Sequence, residues 1–150
     1  MKYFMMSTRF DKKTYEDFNL NKINDKFYDK NNSEWIPCKL YDFGWGNENG
    51  YYKVPLGDFE TLINLVLSYD DDEDSYAASY IIETKYIHEF KSFVLDLIKK
   101  QGDLKTLRRL KMLFKLEISY NRTIENGLNL YDIENEYNDW KLISEFFQKI

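Results

Sequence analysis

At 150 residues, with 43% hydrophobic and 18% aromatic residues, the chain holds enough apolar mass for one packed domain over 1–150 and too much for a disordered one. A net charge of -5 argues against a general nucleic-acid binder or a binder of anionic membranes. A lone cysteine, Cys38, excludes an intrachain disulfide; with no signal-peptide pattern and no apolar run of membrane-spanning length, a cytoplasmic setting is expected.

Up to residue 57 the chain is rich in Asn, Gly and aromatics and holds both prolines, Pro37 and Pro55. Clean periodicity is weak there, so an irregular or small β-containing N-terminal third is expected. "TYEDFNLNKINDKFYDK" (14–30) places Tyr15, Phe18, Ile23 and Phe27 roughly on one side of a helix. "EWIPCKLYDF" and "GYYKVPL" read as short strands flanking the turn-rich "GWGNENG", a small hairpin. Trp45 at its tip is a candidate interface anchor. The glycines of "DFGWGNENG" lack the strand, helix and Lys-Ser/Thr context of a phosphate cradle.

Residues 58–150 turn helical. Asp58 is an expected N-cap, ahead of a stripe of Phe59, Leu62, Ile63 and Val66. Residues 75–100 carry two apolar sets, Ala78, Ile81 and Ile82, then Phe93, Val94, Leu97 and Ile98. On one straight helix these would point roughly 130° apart. A break near residues 86–88 is therefore expected. Gly102 reads as a C′ residue and Asp103 as the next N-cap. A helix over 104–120 would bury Leu107, Leu110, Phe114 and Ile118. A last one, over about 133–149, would bury Tyr137, Trp140, Ile143 and Phe147. The expected fold is mainly α: antiparallel helical hairpins behind the N-terminal third. "DDEDSYAASYI" (72–82), with small Ala77 and Ala78, resembles the second-helix start of a HEAT-type repeat, which implies close helix packing over that one stretch.

Chemistry-bearing clusters are few. Five consecutive acids, Asp70, Asp71, Asp72, Glu73 and Asp74, precede a helix. As a calcium loop the run fails, because positions 6 and 12 are Ser75 and Ile81. Carboxylates there suit the helix dipole, and Asp74 or Ser75 can cap. Five exceed what capping needs, which leaves room for a basic partner. Lys105, Arg108, Arg109, Lys111 and Lys115 share the helix face opposite Leu107, Leu110 and Phe114, without interleaved aromatics for base stacking. His88 is the only histidine, so no metal set forms around it. Neither Cys38 nor any serine sits in a nucleophile motif, and Asn121-Arg122-Thr123 is a glycosylation triplet by pattern only. No catalytic, cofactor or metal residue is assigned.

These features point to a non-enzymatic protein-binding module. In size, acidity and Lys/Asn/Tyr-rich texture the chain resembles the small acidic immunity proteins of bacterial toxin systems. That resemblance implies a basic toxin domain as partner, met by residues 70–74 with Tyr69, Tyr76, Tyr80 and Trp45 as anchors. The alternative is a structural or regulatory protein of a phage or mobile element that self-associates through its helices. A nucleic-acid binder using Arg108 and Arg109, and an enzyme with a hidden carboxylate site, are the remaining readings.

Overall fold

The computed structural model describes residues 2–7, 12–42, 47–118 and 129–150. The chain divides into two compact units, residues 1–81 and 82–150.

The N-terminal unit is built on a five-stranded antiparallel sheet ordered β1-β5-β4-β3-β2. The strands are β1 (Phe4–Met6), β2 (Asn21–Ile23), β3 (Lys26–Tyr28), β4 (Glu34–Asp42) and β5 (Asn47–Lys53). The expected hairpin is β4–β5, with Ile36 opposite Tyr52 and Cys38 opposite Gly50. The expected fold class holds in part: the helices after residue 58 and a β-containing N-terminal part are present, but that part is a five-stranded sheet rather than irregular or a small β region, so the described chain is mixed α and β rather than plainly mainly helical hairpins. The expected helix over 14–30 is also corrected. Turns over residues 15–19 lead into the β2–β3 hairpin. The reason is Asn24-Asp25, both left-handed (φ 49 and 65), a pair that forms a primed hairpin turn no helix tolerates. Pro37 lies past the β3 ladder, which ends at Phe27 opposite Trp35, so its missing N–H breaks no β3–β4 bond. Gly50 belongs to β5, not to a turn. A Cβ there would sit 2.3 Å from the Met5 carbonyl oxygen and 2.6 Å from Leu40 Cδ1, so β1 approaches only a glycine this closely.

Two helices complete this unit. α1 (Phe59–Ser68) starts at Asp58, whose side chain accepts from the Thr61 amide, and buries Leu62, Ile63 and Val66 as expected. α2 (Asp72–Lys85) begins here and buries Ala77, Ala78 and Ile81. Its small residues let it sit deep: Ser75 Oγ donates to the Leu65 carbonyl of α1 at 3.0 Å. Phe4 and Leu40, at 1% and 0% exposure, join the same core.

In the C-terminal unit α2 ends at Lys85 and α3 (Ile87–Lys99) starts after Tyr86, where the diverging apolar stripes require a break. α3 buries Val94 as expected, and Phe90, which the stripe omitted. Gln101, not Gly102, takes the left-handed position (φ 53) that ends it. α4 (Leu104–Phe114) is capped by Asp103 and buries Leu107, Leu110 and Phe114. It stops four residues after Leu110: Lys115 turns left-handed (φ 50, ψ 48), so Leu116 enters the core and Ile118 stays 49% exposed, against expectation. α5 (Leu130–Phe147) starts earlier than expected, at the Asn129 cap. It buries Trp140, Ile143 and Phe147, whereas Tyr137 is 42% exposed. α3 packs on α5, where Lys91 pairs with Glu136 and Asp139.

Candidate partner-binding surface

The acidic run lies at the corner between α1 and α2. Tyr69 closes α1 in the left-handed conformation (φ 63, ψ 4), which swings Asp70 out to solvent. Asp71, rather than Asp74 or Ser75, caps α2: its Oδ1 accepts from the Asp74 amide at 3.0 Å, and its carbonyl accepts from Ser75 N at 3.0 Å. α2 then exposes a narrow stripe. Residues four apart stack along one helix face. Asp72, Tyr76 and Tyr80 occupy that face, exposed, 39% exposed and half-buried in turn.

Three acids of the run point elsewhere, to residues 2–6 in and just before strand β1. The Asp74 carboxylate, 2% exposed, accepts from Phe4 N at 2.9 Å and from Tyr3 N at 3.1 and 3.2 Å. Glu73 Oε1 accepts from Met6 N at 3.0 Å. Lys2 Nζ reaches Asp71 at 3.0 Å and Glu73 at 3.4 Å. β1 is an edge strand, bonded on one side to β5. The outward amides of an edge strand are a template for unwanted pairing unless covered. Here carboxylates of α2 cover them. Asp71, Glu73 and Asp74 are thus part of the fold, and Asp74 offers nothing to a partner's surface.

Exposed to solvent at this corner are Tyr69 (48% exposed), Asp70, Asp72, Tyr76 and the rim of Tyr80. Beside them lies a recess of about 410 Å³ lined by Tyr3, Asn64, Ser68, Asp70, Asp71 and Asp74. With Asp71 and Asp74 engaged by Lys2 and backbone amides, Asp70 is its exposed carboxylate, suited to an ammonium or guanidinium group. Trp45 lies outside the described residues, as do residues 43, 44 and 46 of the glycine-rich stretch and the triplet at 121–123. Among the described residues no group of three or more His, Cys, Asp or Glu could hold a metal ion.

The basic face expected on α4 is not continuous. Lys105 and Arg108 are exposed, but Arg109 is 5% exposed, and Lys111 Nζ donates to the Ile150 carbonyl at 2.8 Å. Sequence reasoning missed Lys2 and the β1 amides as the fixed partners of the acids. Nothing local signals them, because the bonds span about seventy residues.

The cap has a pH signature. Burial would raise the Asp71 carboxyl, but the Asp74 amide, the Lys2 ammonium and the Glu73 amide hold it below its ordinary 3.8. A depressed carboxyl contributes stability above its unfolded pKa and loses it as pH falls through the folded one. The stability gap between wild type and Asp71→Asn is therefore expected to be wide near neutral pH and to narrow below about pH 4. Urea unfolding at both ends of that range reads it, and a gap indifferent to acid would remove the charge from the account.

No family model, curated protein or solved structure matches this chain. No helix among the described residues is long and apolar enough to cross a membrane.

Proposed function

We propose that the chain is a non-enzymatic protein-binding module that masks a basic partner, most concretely an immunity-type inhibitor of a bacterial toxin domain. The observation that carries this reading is the α1–α2 corner: exposed carboxylates of Asp70 and Asp72 set among Tyr69, Tyr76 and Tyr80, beside an acidic recess. Acids steer a cationic surface at long range, and rings with few rotatable bonds supply the desolvated contacts. The partner's Lys or Arg side chains would enter the recess while its backbone rides on the tyrosines.

Affinity capture from lysate of the source cells, at low and high salt, tests this. One stoichiometric basic protein is expected, released as ionic strength rises past about 0.5 M. Tyr76→Ala is expected to weaken that complex by about tenfold or more, as truncating a central aromatic anchor does. Capture independent of salt and unaffected by Tyr76→Ala would defeat the reading.

Self-association is the second reading, and one observation favours it. α5 leaves Leu130, Tyr131 and Leu142 at 72%, 71% and 50% exposure. A sedimentation coefficient that rises with concentration, and falls back in Leu142→Lys, would support it; a monomer at every concentration would not.

A further inference from the structure

The face of the sheet bearing Trp35 and Tyr51 holds a recess of about 580 Å³. This is within the range that takes small ligands. Met5, Phe18 and Trp35 form its apolar floor, and Lys2, Lys30 and Lys53 stand around it.

The floor is held rigidly. Phe18 sits edge-on to Tyr51 at 5.8 Å, and Tyr51 in turn meets Phe27 at 5.2 Å. The backbone turn that delivers Phe18 is closed by Leu20 N donating to the Tyr15 carbonyl and by left-handed Asn19 (φ 60). Trp35 is 3% exposed, and its indole N–H donates to Asp29 Oδ2 at 3.0 Å.

Asp29 is the acid of the recess, and internal donors occupy it. Its other oxygen accepts from the amides of Asn31 and Ser33, both at 2.9 Å. Burial would raise this carboxyl, but the indole and the two amides, helped by Lys53, hold it below its ordinary value, so it stays ionised. Lys2 is likewise occupied, by Asp71 and Glu73. Lys30 and Lys53 make no carboxylate ion pair among the described residues. Two ammonium groups thus flank an apolar floor in a chain whose net charge is -5. Asn19 and Asn31, whose side chains carry amide donors, also line the recess.

We propose that this recess binds a small anion carried on a flat apolar ring, the ring against Met5 and Phe18 and the anionic group between Lys30 and Lys53. A phosphate or a carboxylate on the ring presents the recess with the same chemistry. The site is separate from the α1–α2 corner and stands whether or not that corner binds a protein.

The test uses the full ¹⁵N-labelled chain and follows the Trp35 indole resonance, assigned with Trp35→Phe. The probes are adenosine monophosphate, phenylacetate, adenosine and inorganic phosphate, each to about 10 mM, a range that detects weak sites. Adenosine monophosphate or phenylacetate, or both, are expected to shift the resonance saturably, which distinguishes a phosphate from a carboxylate ligand. Adenosine and phosphate alone should bind at least about threefold more weakly, and Lys30→Gln/Lys53→Gln should weaken the ring anion by about threefold or more. In wild type, raising NaCl from about 50 to 500 mM should weaken it similarly. No saturable shift with either ring anion overturns the proposal. So does adenosine or phosphate binding as well as adenosine monophosphate, or affinity insensitive to both the double variant and salt.

Discussion

Asp74→Ala is expected to destabilise the sheet unit by about 3 kcal/mol, because it strips the acceptor from two strand amides where little water can replace it. The amides are those of Tyr3 and Phe4, and Phe4 is 1% exposed. A buried donor left without an acceptor costs about 1–3 kcal/mol. For a chain of this length each kcal/mol is worth about 2–4 °C, so the midpoint should fall by about 6–12 °C. Asp70→Asn, exposed in the corner ahead of α2, should change it by less than about 0.5 kcal/mol. The pH dependence separates Asp74 from Asp71. Burial pushes the Asp74 carboxyl above 3.8, against the amides of Phe4 and Tyr3, with the Asp71 charge adding to the rise. A raised carboxyl contributes most below its unfolded pKa and progressively less as pH rises through the folded one. The Asp74→Ala deficit should therefore not shrink on acidification, as the Asp71→Asn deficit should. Faster hydrogen exchange at the Tyr3 and Phe4 amides would place the loss at β1. A variant as stable as wild type would mean that α2 does not hold the edge strand.

Phe114→Ala is expected to be at least as damaging, by about 3–5 kcal/mol, in the other unit. The Phe114 ring stacks on Phe90 with centroids 4.1 Å apart, and the two are 1% and 0% exposed. Removing one ring leaves a cavity against the other and loses an aromatic pair worth about 0.5–1.5 kcal/mol beyond area. Phe114 is also the last residue before the left-handed Lys115, so the chain cannot slide to refill the gap. Phe114→Leu should recover much of the loss. Denaturant unfolding followed by ellipticity at 222 nm reads both variants. If Phe114→Ala matched Phe114→Leu, the stacked pair would not be the core of these helices.

The helical part was legible because its signals are local. Asp58 and Asp103 cap α1 and α4, each accepting from the Thr amide three residues on, a pattern visible in sequence. The break at Tyr86 followed from the angle between two apolar sets. The errors fell where a single residue takes a left-handed turn without being glycine, as Gln101 and Lys115 do. Such conformations are set by the packing that follows them, which a local pattern does not encode. The sheet was less legible for a related reason. β1 and β5 pair across nearly fifty residues, and β1 through β3 have three residues each, too few to show alternation. The acidic run shows both limits together. Its position before a helix was readable, and so was its excess over capping. That three of its carboxylates meet Lys2 and the amides of residues 3, 4 and 6 was not, because those partners lie at the other end of the unit.

The acidic run divides between the fold and the surface, with Asp70 and Asp72 its solvent-exposed acids. The most direct measurement is the dissociation constant of the captured basic protein for wild type and for Asp70→Asn/Asp72→Asn, with thermal unfolding of the same samples as control. The account predicts a complex weakened by about tenfold, mostly through slower association, with the unfolding midpoint unmoved. Unchanged affinity with an unmoved midpoint would contradict it, and would return the whole acidic run to the architecture of the fold.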